Sequence, residues 1–154
     1  MKRWIVCTAI AVALAALVAA NVHAGDLPDP HTTPGLPDPE MTAAKLCAKD
    51  FRTSAIRNVP ESVKRKVYAA YGMAKDKPPC PCEVDHLISL ELGGTNDIKN
   101  LWPQSYGTMP YNAHVKDVLE NRLHKLVCAG TITLKDAQRK IAADWVSAYR
   151  EYAK

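Results

Sequence analysis

The sequence has few features of a membrane protein or of a strongly basic nucleic-acid-binding protein. After residue 20 it has no apolar run of membrane-spanning length, which argues against further membrane spans. It also lacks a large excess of one charge, because 20 basic and 16 acidic residues give a formal net charge of only +4. No segment resembles a recognition helix with base-reading side chains, so strict sequence specificity toward a nucleic acid is not expected.

The first 24 residues predict a secretory signal. A charged start, Lys2-Arg3, precedes a mostly apolar run over residues 4–20, and residues 22–24 form a small-residue pattern suited to signal peptidase. Cleavage there leaves 130 of the 154 residues and lowers the formal charge from +4 to +2, since two basic residues leave and no acidic one does. We expect a protein in the periplasm or the medium, without membrane contact after cleavage. Retention of residues 4–20 as an anchor is the alternative.

The cysteines fit an oxidising compartment. Four remain after signal cleavage, and an even number allows three disulfide pairings: Cys47, Cys80, Cys82 and Cys128. Cys80 and Cys82 are too close in sequence for an easy mutual bridge, whereas Cys47 and Cys128 each lie in a predicted helix. We therefore predict a disulfide between Cys47 and Cys128. A zinc site of four thiolates is the competing interpretation.

Proline divides the exported chain into a leader and one domain. Residues 25–40, GDLPDPHTTPGLPDPE, hold five of the eleven prolines, and they predict an extended, mobile leader because proline resists both helix and strand. Residues 41–154 have a length that suits a single domain with one core.

Periodicity predicts an α+β fold for this domain, mostly helical. Two short apolar segments, residues 83–90 and 98–102, flank a turn with Gly93-Gly94 and predict a β-hairpin. Trp102 and Trp145 are expected in the core. Helices are predicted at residues 41–51, 60–72 and 111–128, and from Thr133 onward, where Asp136 is placed for a capping box.

The most informative stretch is residues 82–104, CEVDHLISLELGGTNDIKNLWPQ, together with residues 112–121, NAHVKDVLEN. It resembles the HNH (ββα-metal) nuclease family in the Asp85-His86 pair, the turn ending at Gly94 and the Asn100-Leu101 pair. More broadly, most of residues 34–146 look like small secreted bacterial proteins of HNH type. The resemblance implies a ββα-metal hairpin-helix unit and a secreted endonuclease that hydrolyses DNA with little sequence specificity.

The same resemblance implies Asp85 as a metal ligand and His86 as the general base. A phosphodiester is already anionic, so attack by water needs a base for the proton and a cation for the developing charge. A neutral imidazole suits the role of base near pH 7. Adjacent residues on a regular strand point to opposite faces, and the family brings them together by distorting the strand end. The expected ion is Mg²⁺, with Mn²⁺, Ni²⁺ or Zn²⁺ as alternatives.

The resemblance also assigns residues beyond the first strand. The family's matching asparagine hydrogen-bonds across the hairpin and orients the segment with the base, and Asn100 takes that position here. The second protein ligand comes from the start of the next helix, where His114 is the first choice, Asn112 the second, and Asp117 lies one turn after His114. Two departures stand out: Ser89 replaces a frequent proline, and the family's zinc-knuckle cysteine pairs are missing.

A basic segment precedes the hairpin. Between Lys45 and Lys77, nine basic residues accompany three acidic ones. Such a segment would follow a phosphate backbone independently of base sequence, and we expect DNA rather than RNA. A solvated helix face is the alternative. The residues predicted to contact nucleic acid are Arg52, Arg57, Lys64, Arg65 and Lys66.

Two other classes of protein remain compatible with the sequence. One is a secreted binding or structural protein that keeps the ββα scaffold without activity, and the other is a structural zinc module. Failure to bind metal near Asp85 would favour the first, and zinc held by the four cysteines would favour the second.

The protein is expected to be a monomer. Outside the main motif, Glu91 and Asn96 are expected to serve the turn, and His124 to be solvated.

Overall fold

The computed structural model describes residues 27–73 and 81–153. The predicted signal, residues 1–24, therefore lies outside the described residues. Within the described ranges the fold is α+β, as predicted, and no helix is long and apolar enough to cross a membrane. The elements are α1 (Ala43–Leu46), α2 (Thr53–Ile56), α3 (Glu61–Ala70), β1 (Cys82–His86), β2 (Leu101–Ser105), α4 (Ala113–Cys128) and α5 (Leu134–Tyr152).

The strands β1 and β2 form an antiparallel hairpin whose second strand begins later than predicted. Residues 98–100 form a 3₁₀ turn instead, because the Asp97 carboxylate accepts a hydrogen bond from the Lys99 N–H at 2.8 Å and caps that turn. The ladder pairs Asp85 with Trp102 and His86 with Leu101. The predicted hairpin is therefore confirmed, with its return strand displaced by three residues.

Gly94 allows the loop of the hairpin to close tightly. A Cβ atom at this position would lie 1.7 Å from the Ile88 carbonyl oxygen and 2.7 Å from the Asn100 amide nitrogen, so any larger residue would force the backbone apart. The preceding Gly93 has φ +72°, which L side chains rarely adopt. The Gly-Gly pair thus sets the close approach of the two strand ends around Asn100.

The described part of the proline-rich segment, residues 27–40, contains turns at residues 30–32 and 39–40 and lies against the hairpin instead of standing free of it. The Gly35 N–H donates to the Lys99 carbonyl at 3.0 Å, and the Asp38 N–H donates to the Gly93 carbonyl at 2.8 Å. The residues between the prolines keep their N–H groups and can form these hydrogen bonds. The prolines restrict the unfolded chain, so less conformational entropy is lost when the segment docks. The sequence predicts a mobile leader, but in the structure residues 27–40 are packed against the domain as part of it.

The core lies where α4 and α5 pack over the hairpin. Trp102 and Trp145 are 0% and 1% exposed, which confirms their prediction as core residues. α5 is interrupted at Asp144, whose φ of −165° and ψ of 95° are not helical. Its carboxylate accepts hydrogen bonds from the N–H groups of Val146 and Ser147, both at 3.0 Å, and so caps the second half of α5.

Most predicted helices are present, with some changes in length. α3 starts after Pro60 as predicted, and the Thr133 hydroxyl accepts from the Asp136 N–H at 3.0 Å, which confirms the capping interaction. α1 ends at Leu46, well before residue 51, and the short α2 was not predicted. Helices of four residues carry too few periodic positions to be recognised from the sequence.

A disulfide joins Cys47 and Cys128, as predicted, with their Cα atoms 5.5 Å apart. It connects the C-cap of α1 with the last residue of α4. Cys82 is also disulfide-bonded, and Cys80 lies outside the described residues. A four-thiolate zinc site is not compatible with these bridges, because zinc binds thiolates and not disulfide sulfurs.

Candidate active site

His86 is the last residue of β1 and is 4% exposed. Its Nε2 atom lies 2.8 Å from the Asn96 Oδ1 atom. Burial, only partly offset by this hydrogen bond, lowers the pKa of the imidazole below its usual value of 6.5. The ring is therefore neutral at pH 7, which is the state that a general base requires.

The hydrogen bonds of Asn96 define which ring nitrogen of His86 carries the proton. The Asn96 Nδ2 atom donates to the Ile56 carbonyl at 2.8 Å, so its Oδ1 atom faces the imidazole as an acceptor. The hydrogen then belongs on Nε2 of His86, and the lone pair on Nδ1. No described residue forms a hydrogen bond with Nδ1. The ring can therefore accept a proton at this atom.

The His86 face of the hairpin borders a polar cavity of about 600 Å³. Arg57 and Lys64 contribute positive charge to its wall, and Glu61 and Glu83 contribute negative charge. Lys64 is paired with Glu61 at 2.6 Å, whereas the exposed Arg57 has no ion-pair partner among the described residues. A neutral base beside the guanidinium of Arg57 suits an anionic substrate such as a phosphodiester.

Asp85 makes its contacts on the other face of the hairpin. Its Oδ2 atom lies 2.6 Å from Nζ of Lys116, a residue of α4 whose side chain has no exposed surface. The ladder continues in regular register through His86, so the distorted strand end implied by the family resemblance is not observed. Lys116 also donates to the His86 carbonyl at 2.7 Å and to Glu120.

Three further carboxylates interact electrostatically with Asp85 and Lys116. Burial, and then the charge of Asp85, raise the pKa of Asp117. Burial likewise raises the pKa of Glu83 and of Glu120. Burial is the largest cause of each of these raised pKa values, and the charge of Lys116 opposes it. Carboxylate oxygens suit a hard divalent cation, but the carboxylates around Asp85 do not bring three ligand atoms within 4.8 Å of one another in the part of the chain that the structure describes.

The predicted helix ligands lie near the start of α4, and the structure distinguishes among them. The Asn112 side-chain oxygen accepts from the Val115 N–H at 3.2 Å and caps the helix. His114 is exposed, and its ring centroid is 5.3 Å from that of Tyr106. No described contact joins either residue to Asp85. Asp117 and Glu120 are the α4 carboxylates whose pKa values the charge of Asp85 helps to raise.

Arg57 connects the two faces electrostatically. Its charge lowers the pKa of His86 and also lowers that of Asp117, although burial dominates both shifts, in opposite directions. The guanidinium group therefore acts on the imidazole and on the carboxylate cluster at once. A phosphate held by Arg57 would interact electrostatically with the imidazole and with the carboxylates.

Asn100 is fully buried, and its side chain makes four hydrogen bonds to backbone atoms. Its oxygen accepts from the N–H groups of Ile88 at 2.9 Å and Leu36 at 3.2 Å. Its nitrogen donates to the carbonyls of Ile88 and Thr95, both at 2.9 Å. These bonds hold the loop that follows His86, the geometry needed for an orienting role.

The predicted nucleic-acid contacts do not form one surface around His86. Arg57 and Lys64 line the cavity, whereas Arg65 and Lys66 are exposed on α3 and do not line it. Arg52 folds back and donates to the carbonyls of residues 49 and 51, at 2.8 and 2.7 Å. Two of the five basic residues therefore lie where they can act on a substrate at His86.

A second group of metal-binding residue types lies at the far end of α4. The ligand atoms of Cys47, His124 and Cys128 lie within 4.8 Å of one another, so this group could hold a metal ion. The two cysteines are bridged, however, and sulfur would become a ligand only after reduction. His124 is also within 3.8 Å of Glu91.

Sequence reasoning missed the contributions of Lys116, Glu120 and Asn96. A usable signal existed for Lys116, because it occupies the core-facing position between Ala113 and Leu119 on α4, where an apolar residue is expected. No local pattern distinguishes Asn96 from other polar turn residues. Its contact with Ile56 joins residues 40 positions apart in the chain.

Comparisons with known proteins found no family model, curated protein or solved structure that matches this chain.

Proposed function

We propose that the protein is a secreted, metal-dependent endonuclease that hydrolyses phosphodiester bonds in DNA with little sequence specificity. One observation carries the proposal: the neutral imidazole of His86 is held at Nε2, its Nδ1 atom has no hydrogen-bond partner among the described residues, and the ring borders a cavity that Arg57 and Lys64 also line. A base and cationic groups on one cavity are what hydrolysis of an anionic ester needs.

The reaction follows from these groups. Arg57 and Lys64 hold the phosphate oxygens and orient the phosphorus toward His86. Nδ1 of His86 accepts the proton of a water molecule as the water oxygen attacks phosphorus and the ester oxygen departs. Asn100 holds the loop that follows the base.

Two carboxylates near His86 could supply oxygen ligands for the divalent cation that this chemistry needs: Asp85 and Asp117. Lys116 donates to the Oδ2 atom of Asp85, and the charge of Asp85 contributes, after burial, to the raised pKa of Asp117. Asp85, with Asp117 or His114 from α4, would hold the ion. When bound, Mg²⁺ or a similar ion neutralises charge on the phosphoryl oxygens and on the leaving oxygen.

Little sequence specificity is expected because the cationic groups on the cavity, Arg57 and Lys64, are suited to phosphate, and no base-reading helix lines it. Beyond the cavity, the exposed Arg65 and Lys66 extend the positive charge of α3. A polymer with regularly spaced phosphates can contact both regions, whereas a small phosphate ester can contact only the first.

The decisive experiment is a plasmid-nicking assay with the exported chain, residues 25–154, in Mg²⁺ or Mn²⁺ and with EDTA. We expect nicking that EDTA abolishes, and a loss of about two to four orders of magnitude in His86→Ala. Asp85→Ala should be partly restored by excess Mg²⁺, and His86→Ala should not. The matched control is His31→Ala, since His31 is an exposed histidine of the leader. Absence of metal-dependent cleavage, or a folded His86→Ala protein with parental activity, would overturn the proposal.

One observation favours a second candidate, a secreted binding protein on the same scaffold without activity. The Lys116 ammonium already pairs with the carboxylate of Asp85, the residue that would hold a metal. A protein of this kind would bind DNA through its basic residues and leave it intact. The same assay, combined with measured DNA binding, separates the two candidates.

A further inference from the structure

We propose that Asn96 is a positioning residue that fixes the proton of His86 on Nε2, orients the ring, and ties it to the segment that carries Arg57. The inference rests on the proposed function only for its catalytic consequence. Its structural part rests on two hydrogen bonds of one amide, each 2.8 Å long.

The two ends of the Asn96 amide have different partners. The nitrogen must donate, so its contact with the Ile56 carbonyl defines the orientation of the whole amide. The oxygen is then presented to His86 and accepts the Nε2–H. The opposite tautomer would place two acceptors against each other and is disfavoured.

The anchor of this amide is next to a substrate-binding residue. Ile56 is the last residue of α2, and Arg57 follows it as the C-cap. Asn96 is half-buried, and its loop is also held by Asn100 through the Thr95 carbonyl at 2.9 Å. One side chain therefore links the orientation of the base to the position of the guanidinium that faces the same cavity.

Loss of this link should disturb catalysis more than folding. Without the amide, the imidazole can turn over about its Cβ–Cγ bond, and its two nitrogens then exchange places. Misplacement of a reacting group by about 1 Å can cost about 10²-fold in rate. We expect Asn96→Leu to lower kcat by that order, with a smaller change in KM.

The test is long-range ¹H–¹⁵N NMR of the histidine rings at pH 8, with His86 assigned by its absence from His86→Ala. The parent protein should show Nε2 protonated and Nδ1 unprotonated. Asn96→Leu should shift both nitrogens toward averaged values, while Asn96→Asp, which keeps an acceptor for Nε2–H but loses the donor to the Ile56 carbonyl, should keep Nε2 protonated. The control is Asn121→Leu, which removes an exposed amide that donates to the Asp117 carbonyl at 2.8 Å.

The outcomes separate this inference from the proposed function. A parent spectrum with Nδ1 protonated would overturn the inference without any variant. The test therefore does not depend on whether Asn96→Leu folds. An unchanged His86 pattern in folded Asn96→Leu would also overturn it, even if stability fell. If the NMR result is as expected but the parent protein does not cleave DNA, the proposed function fails and the positioning of His86 stands.

Discussion

The ammonium of Lys116 lies 2.6 Å from the carboxylate of Asp85, and the Lys116 side chain has no exposed surface. Burial alone would lower the pKa of this lysine, but Asp85 and Glu120 outweigh burial and raise it. Lys116 is therefore charged at neutral pH. It compensates two carboxylates and also satisfies the carbonyl of His86.

Replacing this lysine should destabilise the protein strongly. Lys116→Met leaves Asp85 and Glu120 without their cation and the His86 carbonyl without a donor, and loss of one partner of a buried pair costs about 3–5 kcal/mol. Urea unfolding at pH 7 measures the effect. Lys125→Met, at an exposed position in the last turn of α4, is the control. A change in the free energy of unfolding below about 1 kcal/mol for Lys116→Met would show that Asp85 and Glu120 do not need the charge of Lys116 for stability.

The disulfide should contribute much of the stability of the domain. It joins residues separated by 81 positions, and closing a loop of that size stabilises by about 4 kcal/mol in the chain-entropy model. We expect the Cys47→Ser/Cys128→Ser double variant to lose stability of that order in urea unfolding. Peptide mapping of the unreduced parent protein should recover the two cysteines in one linked fragment. Recovery of both as free thiols would contradict the assignment.

The break in α5 should make stability sensitive to acid. Asp144→Ala removes the cap of the second half of the helix and should cost about 1 kcal/mol near neutral pH. Hydrogen bonds from Ser147 and Val146 lower the pKa of Asp144 below 3.8, so its contribution is present above pH 3.8 and lost as the pH falls through the lower folded value. Urea unfolding at pH 7 and pH 3 should show the difference between parent and variant shrinking in acid. Asp50→Ala, at an exposed position outside α5, is the control.

The structure divides the basic residues into two pairs with different expected effects. Arg57→Gln/Lys64→Gln should lower both cleavage and DNA affinity, because these residues line the cavity at His86. Arg65→Gln/Lys66→Gln should weaken binding equally for all sequences while sparing the rate at saturating DNA. Fluorescence anisotropy against salt concentration should show a slope reduced by about one for each phosphate that the variant no longer neutralises. Equal kinetic effects of the two pairs would show that the cavity is not where DNA is cut.

The sequence predicted well those elements that depend on interactions between residues close together in the chain. Pro60 before α3, and Thr133 with Asp136 at the start of α5, act within one helical turn, so their residue types alone indicate a helix start. The Gly93-Gly94 turn and its flanking apolar residues likewise predicted the hairpin. The kink at Asp144 follows from a capping interaction that competes with a continuous helix, and periodicity does not reveal which of the two prevails.

The sequence by itself determined the α+β class, the hairpin, the two long helices and, through cysteine placement, the bridge between Cys47 and Cys128. Only the tertiary structure decided that residues 27–40 dock on the hairpin, that Lys116 compensates Asp85, and that Asn96 orients His86. The docked leader and the Lys116–Asp85 pair join residues far apart in the chain, and the Asn96–His86 pair spans the hairpin loop. Their free energy depends on burial and on the distance between charges or hydrogen-bonding atoms, and those quantities arise only when α4, the leader and the hairpin pack together.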